Sequence, residues 1–229
     1  MSMTPLISFL RRVPLFADLD DAALDFLARV SHAKRVAKDT RVFDQGDPGD
    51  AAYIVRAGAI AILLCTADGR ELVINEMRAG DCFGELALLT GAPRSASAVA
   101  SAASDLLVIP RDAFMAELER QPKLMRHLLE TIAERLRSSS ETERALAFLN
   151  APARLARVLL QLDRASPAGY VTISQEELSQ RIGAARQTTA RILGQWRRKG
   201  WILTGRGRTV VLDRAALRRQ AEPISANQE

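Results

Sequence analysis

Apolar residues recur at helical spacing in two stretches near the N-terminus, Leu6, Phe9 and Leu10 within residues 6–15 and Leu24, Leu27 and Ala28 within 21–30. Asp20 or Asp21 is placed to cap the second. From about Ala33 the rhythm changes to short β-prone runs: Arg41-Val-Phe-Asp, Ala52-Tyr-Ile-Val, Ala59-Ile-Ala-Ile-Leu-Leu, Leu72-Val-Ile-Asn and Asp105-Leu-Leu-Val-Ile. Turn signals at Gly46-Asp-Pro-Gly-Asp, Arg56-Ala-Gly, Asp68-Gly-Arg and Arg78-Ala-Gly-Asp separate them, which predicts a β-sandwich or barrel. Pro110-Arg-Asp-Ala opens a long helical stretch that restarts after Pro122, with apolar positions Leu124, Leu128, Ile132, Leu136, Leu146 and Leu149. The stripe weakens at Ser138-Ser139-Ser140. A helix this long and amphipathic, with no second helix to shield it, is expected to pack on another subunit while one face meets its own barrel.

Asn150-Ala-Pro marks a boundary, because proline disfavours helix at the residue before it and asparagine caps the helix that follows. Ala153 to Ala165 is predicted helical, with Leu155, Val158, Leu159 and Leu162 on one side, and Ser166-Pro-Ala-Gly is loop. Thr172 to Leu193 then reads as helix-turn-helix. Ser174 caps the first helix and Glu177 completes a capping box. Leu178 and Ile182 form its buried stripe, Gly183 supplies the turn, and Ile192, Leu193 and Trp196 bury the second helix. Arg186, Gln187, Thr188 and Arg191 fall on the first turns of that second helix, where arginine suits guanine and glutamine suits adenine in a major groove. Arg197, Arg198 and Lys199 are better placed for phosphates. Trp201 to Leu212 is expected to form a β-hairpin wing whose Arg206 and Arg208 reach the nucleic-acid backbone; Ser174 is counted with these DNA-facing residues.

Charge agrees with that division. Residues 147–229 carry a net +8 and residues 1–146 a net −3, within a total of +5. A basic C-terminal third points to a polyanion partner for that third alone. The 229 residues suffice for two cores. No apolar run approaches the roughly 20 residues that span a bilayer, and Met1 to Val13 has no secretion-signal pattern. The two cysteines, Cys65 and Cys82, sit in apolar strand-like runs and are expected to be buried, inert thiols. Their spacing makes no metal or iron–sulfur site, and a reducing cytoplasm is expected.

The segment 81–98, Asp-Cys-Phe-Gly-Glu-Leu-Ala-Leu-Leu-Thr-Gly-Ala-Pro-Arg-Ser-Ala-Ser-Ala, carries the other chemistry. A cyclic nucleoside monophosphate offers one anionic phosphate and one free 2′-hydroxyl. Arg94 and Ser95 suit the first and Glu85 the second. Gly84 allows close backbone approach, and the helical run Glu85 to Thr90 would aim free N–H groups at an anion. The pattern Gly84-Glu85-Leu86-Ala87, followed by Arg94-Ser95-Ala96, resembles the phosphate-binding cassette of the cyclic-nucleotide-binding domain family.

The order of barrel, cassette, long helix and winged helix-turn-helix closely resembles the CRP/FNR (catabolite activator) family of bacterial transcription regulators. That resemblance implies an α+β chain with a β jelly-roll domain (1–111), a dimerisation helix (112–149) and a winged helix-turn-helix domain (150–229). It implies a cytoplasmic homodimer without enzymatic activity or metal, controlled by cyclic AMP or cyclic GMP, acting on palindromic double-stranded DNA and on RNA polymerase. Ser139 and Ser140, aligned through Arg135-Leu136 and Ala147-Phe148-Leu149, would touch the purine. The family's recognition helix commonly begins Ser-Arg-Glu-Thr. Here Ala185-Arg186-Gln187-Thr188 stands instead, so the base under Gln187 is expected to differ. The cysteines that mark the oxygen-sensing branch are absent from the N-terminus. Two alternatives stay open: the same regulator with another effector, such as cyclic di-GMP, or none; and a regulatory subunit of a signalling enzyme. A hydrolase finds no support, since neither His32 nor His127 stands with a Ser, Cys or second ligand in any recognisable arrangement.

Overall fold

The computed structural model describes residues 3–66, 71–205 and 207–222. Its elements begin with α1 (Met3–Leu10), a 3₁₀ turn (Pro14–Phe16), α2 (Asp21–Val30), β1 (His32–Val36), β2 (Arg41–Phe43), β3 (Ala51–Ala57) and β4 (Ala59–Cys65). They continue with β5 (Glu71–Arg78), β6 (Cys82–Phe83), α3 (Glu85–Thr90), β7 (Ser97–Ala100), β8 (Ser104–Pro110), α4 (Arg111–Arg120) and α5 (Pro122–Phe148). The C-terminal part holds α6 (Ala151–Ala165), β9 (Val171–Thr172), α7 (Gln175–Ile182), α8 (Arg186–Arg198), β10 (Ile202–Gly205), β11 (Arg208–Val211) and α9 (Arg214–Gln220). The chain gathers into two compact units, residues 1–65 with 74–138, and 66–73 with 139–229.

Among the described residues, β1 to β8 form two four-stranded sheets, ordered β1-β8-β3-β6 and β2-β7-β4-β5. Neighbours such as β3 and β8 run antiparallel, and the double-sheet arrangement is the jelly roll that the family resemblance implies. Successive side chains on a strand face opposite ways, and β3 and β8 bury both faces. Tyr53, Val55, Leu106 and Val108 join Phe83 and Ile60 between the sheets. Ala52, Ile54, Leu107 and Ile109 point the other way, into a helical layer of Leu10, Leu24, Leu27, Phe114 and Leu128. Burial on both sides is why these two strands read as continuous apolar runs.

Several expectations are met at the level of single atoms. Asp20 caps α2 through Ala23 N (2.8 Å), Asn150 caps α6 through Ala153 N (2.9 Å), and both halves of the Ser174–Glu177 capping box are present. Others need correction. The first helix stops at Leu10, and Leu15 lies in the 3₁₀ turn, because Pro14 cannot continue an α-helix and restricts the residue before it. Cys82 is buried but Cys65 is only half-buried, being near the end of β4 with its Sγ 3.8 Å from Ser97 Oγ. Strands β1, β6, β7 and β9 were not delimited by pattern, since they are short or, in β1, rich in charge.

The second unit packs α6, α7, α8 and α9 with a three-stranded sheet ordered β10-β11-β9. Leu155, Leu159, Leu178, Ile182, Ile192, Leu193, Trp196 and Leu217 form its core. Helix α9 has no strong apolar periodicity. It is fixed by Leu217 and by Arg214, which grips the buried Asp163 with two hydrogen bonds (2.7 and 3.0 Å). Among the described residues, no helix is long and apolar enough to cross a membrane.

The turn between β3 and β4 depends on Gly58, at φ 89°. A Cβ there would sit 2.3 Å from Ser104 Oγ and 2.5 Å from Ala103 O. Ser104 Oγ also accepts from Ala59 N (3.0 Å), so it has little freedom to retreat. Gly58→Ala is expected to destabilise the chain by about 2–4 kcal/mol in urea denaturation, from left-handed strain plus overpacking. A loss well under 1 kcal/mol would mean that the turn relaxes cheaply.

Candidate functional site

The cassette is built around a left-handed glycine. Gly84 (φ 80°) ends β6 and caps α3, and Gly91 (φ 68°) terminates that helix. A Cβ on Gly84 would lie 2.7 Å from Arg94 Nη1 and 3.2 Å from the Tyr53 ring. The missing side chain is therefore the space that the arginine occupies. Arg94 is 3% exposed. Its Nη1 donates to Gly84 O (2.5 Å), and its Nη2 donates to Ala51 O (2.9 Å) and Asp50 Oδ1 (2.9 Å). The Phe43 ring lies under the guanidinium, 4.3 Å away, with Tyr53 at 5.7 Å. Nε alone has no hydrogen-bond partner.

Glu85 begins α3 and is buried as deeply, at 1% exposure. Burial pushes its carboxyl above the usual carboxylate range, an effect opposed mainly by the Arg135 guanidinium. Arg135 reaches back from α5, donating to Glu85 Oε1 (2.8 Å) and to Cys82 O. Glu85 Oε2 is buried without a partner. This part of the jelly roll thus contains one donor, Arg94 Nε, and one acceptor, Glu85 Oε2, that the chain itself leaves unused. Leaving a buried polar atom unpaired costs about 1–3 kcal/mol. Burial likewise pushes the Cys82 thiol well above its ordinary value.

The other sequence-selected residues vary in placement. Ala96 is buried, Ser95 is exposed, and Leu86 is 42% exposed on the outer side of α3. Ser139 is half-buried and Ser140 exposed, both on α5. Three contributors escaped the pattern reading: Asp50 and Phe43, which hold Arg94, and Arg135, which holds Glu85. Arg135 lies fifty positions from its partner. Its only sequence signal is that a buried carboxylate requires a cation from somewhere.

In the second unit, α7 and α8 are joined by Gly183 at φ 59°. Arg186, Gln187 and Arg191 are exposed on α8 and Thr188 is half-buried, while Thr189, Ile192, Leu193 and Trp196 face the core. Arg186 Nε lies 3.8 Å from Glu176 Oε2 on α7. Ser174 is committed to its capping box. In the wing, Arg208 pairs with Gly205 across the hairpin and rests 4.8 Å above the Tyr170 ring; Arg206 lies outside the described residues. Among the described residues, no group of three or more His, Cys, Asp or Glu is arranged to hold a metal ion.

Comparison with known proteins bears on both units. Residues 33–121 match the cyclic nucleotide-binding domain family, and residues 153–220 match the Crp-like helix-turn-helix domain family. The chain is 31% identical over 219 residues to the CRP-like cAMP-activated global transcriptional regulator of Mycobacterium tuberculosis, covering 93% of this chain and 98% of that one. It is 32% identical over 204 residues to the cyclic AMP receptor protein of Thermus thermophilus, covering 89% and 94%. In fold it is similar to the c-di-GMP-responsive global regulator CLP of Xanthomonas campestris, with a TM-score of 0.77 at 23% identity over 84% of this chain and 99% of that one. With a cassette built around Gly84, a helix-turn-helix around Gly183, and relatives matched along nearly their whole length, the chain belongs to the CRP/FNR family of transcription regulators.

Proposed function

We propose that the chain is a homodimeric, non-enzymatic transcription regulator, acting in the cytoplasm, whose grip on a palindromic operator is set by a cyclic nucleoside monophosphate, cyclic AMP first. The observation that carries this reading is the pair of buried, unused atoms, Arg94 Nε and Glu85 Oε2. A cyclic phosphate supplies an acceptor for the first and a ribose 2′-hydroxyl a donor for the second. One buried arginine suits a ligand with one phosphate. Two relatives above 30% identity are named for cyclic AMP, which favours it over cyclic GMP or a dinucleotide.

Each residue has a stated part. Arg94 and Ser95 hold the phosphate, Gly84 and Ala96 keep the wall close, Leu86 borders the opening, and Glu85 orients the sugar. Arg135, on α5, favours the ionised form of Glu85 against the effect of burial, so the carboxylate that meets the ligand is tied to the long helix. Leu124 and Leu128 on that helix are buried in their own unit, while Leu129 (59% exposed) and Leu136 (67% exposed) are not. Those two leucines are seven residues apart and share one face, the spacing of a helix–helix seam. A second copy of α5 covers them, and its Ser139 and Ser140 approach the purine. Ligand shifts the equilibrium between helix arrangements only by its preference for one of them, and the active arrangement sets two copies of α8 about 34 Å apart, in successive major grooves. There Arg186, Gln187, Thr188 and Arg191 face bases, and Arg206, Arg208 and the α7 start at Ser174 face the backbone. RNA polymerase is the expected partner at the promoter.

Three outcomes follow. Arg94→Leu is expected to weaken cyclic AMP binding by about 2–5 kcal/mol in calorimetry; unchanged affinity refutes the pocket. Arg135→Leu leaves Glu85 buried without its cation and is expected to cost about 1–3 kcal/mol of stability at neutral pH. Because the folded state then holds the Glu85 proton more tightly than the unfolded chain, stability falls as pH rises above the ordinary carboxylate range, and the deficit shrinks in acid. A deficit constant from acid to neutral pH would show that the pair is not electrostatic in effect. Arg186→Ala is expected to cost about 1–3 kcal/mol on the preferred operator and to relax preference at one base pair. An equal loss on random DNA means that it meets only phosphate.

A further inference from the structure

The carboxylate of Glu176 stands 3.8 Å from the Nε of Arg186, across the turn of the helix-turn-helix. We infer that Glu176 is a specificity-determining positioning residue, which orients the Arg186 guanidinium for guanine and weakens the attraction of this surface for DNA of any sequence. The inference rests on the DNA-binding reading above and concerns which side chain sets its selectivity.

The geometry makes the case. Guanidinium is planar, and a carboxylate on its Nε side leaves the Nη1–Nη2 fork for another ligand. That fork is the edge that can bridge guanine O6 and N7. A flexible arginine without such a neighbour serves any phosphate oxygen equally well. Glu176 belongs to the first turn of α7 and Arg186 is the first residue of α8, so the arginine side chain reaches back along α7, past the Gly183 turn, to meet the carboxylate. Glu176 is not spent on capping, since Ser174 and Glu177 complete that box between themselves. Nor does it hold the fold together: the pair is exposed, at 54% and 71%, and such pairs add little stability. A carboxylate on a DNA-facing surface that neither caps nor stabilises acts against phosphates and on its arginine.

The test compares full-length wild type, Glu176→Gln and Arg186→Ala. Each is assayed on the wild-type operator, on single-base variants of it and on random DNA, at fixed salt. The condition used is whichever of no nucleotide, cyclic AMP, cyclic GMP or cyclic di-GMP gives the wild type its tightest binding. Glu176→Gln is expected to bind random DNA about three- to fivefold more tightly. It should lose preference at the same base pair that Arg186→Ala relaxes, with its thermal midpoint nearly unchanged. An unaltered ratio of operator to random binding overturns the inference. Relaxation at a different base pair also overturns it, because Glu176 would then read a base itself. A wild type that binds no DNA in any condition fails the underlying reading instead.

Discussion

Two opposite charges are buried a short distance apart in the jelly roll, and their solvation by protein rather than water is the constraint on which the remaining structure depends. Moving a guanidinium or a carboxylate out of water costs several kcal/mol unless hydrogen bonds and countercharge replace the lost shell. Arg94 is compensated by two main-chain carbonyls, by Asp50 and by the Phe43 ring. Glu85 is compensated by one cation from outside the sheets, Arg135. Neither residue is fully satisfied, and the two atoms left over are a donor and an acceptor. Those two atoms are the ones for which the proposed cyclic nucleotide would supply an acceptor and a donor.

This arrangement makes α5 part of the charge balance around the cassette. Helix α5 holds Leu124 and Leu128 in its own core, sends Arg135 to Glu85, and leaves Leu129 and Leu136 outside. The division follows from helical geometry. Leu128, Ile132 and Leu136 recur every four residues, and each step advances about 40° beyond a full turn. The stripe therefore winds off the core, and by Leu136 it faces away. Spacing of seven brings Leu129 and Leu136 back to one face, which lies exposed.

Much of the candidate site was legible from local chemistry. Gly84, Glu85 and Arg94 lie within eleven positions, the turn needs a glycine, and a buried arginine needs acceptors nearby. The helix-turn-helix was equally plain, because its cap, its turn glycine and its apolar stripe are all short-range signals. Less was visible wherever the signal was weak or distant. Helix α9 has too much charge and too little periodicity to announce itself, and depends on Arg214 finding Asp163 fifty-one positions away. Asp50 is forty-four positions from Arg94 and stands in a turn rich in aspartate. Nothing in its neighbourhood distinguishes it from Asp44 or Asp47.

The sequence alone determined most of the element types, the order of barrel, long helix and winged helix-turn-helix, and the residues proposed to meet a phosphate or a base. Propensity, capping and turn formation act over a few residues, and their traces stay contiguous in the chain. Tertiary structure alone decided which charges neutralise one another: Arg135 with Glu85, Arg94 with Asp50, Glu176 with Arg186. Pairing is settled by closeness in space, and closeness in space between residues ten to fifty positions apart is set by how the strands and helices pack, a quantity that no short stretch of sequence contains.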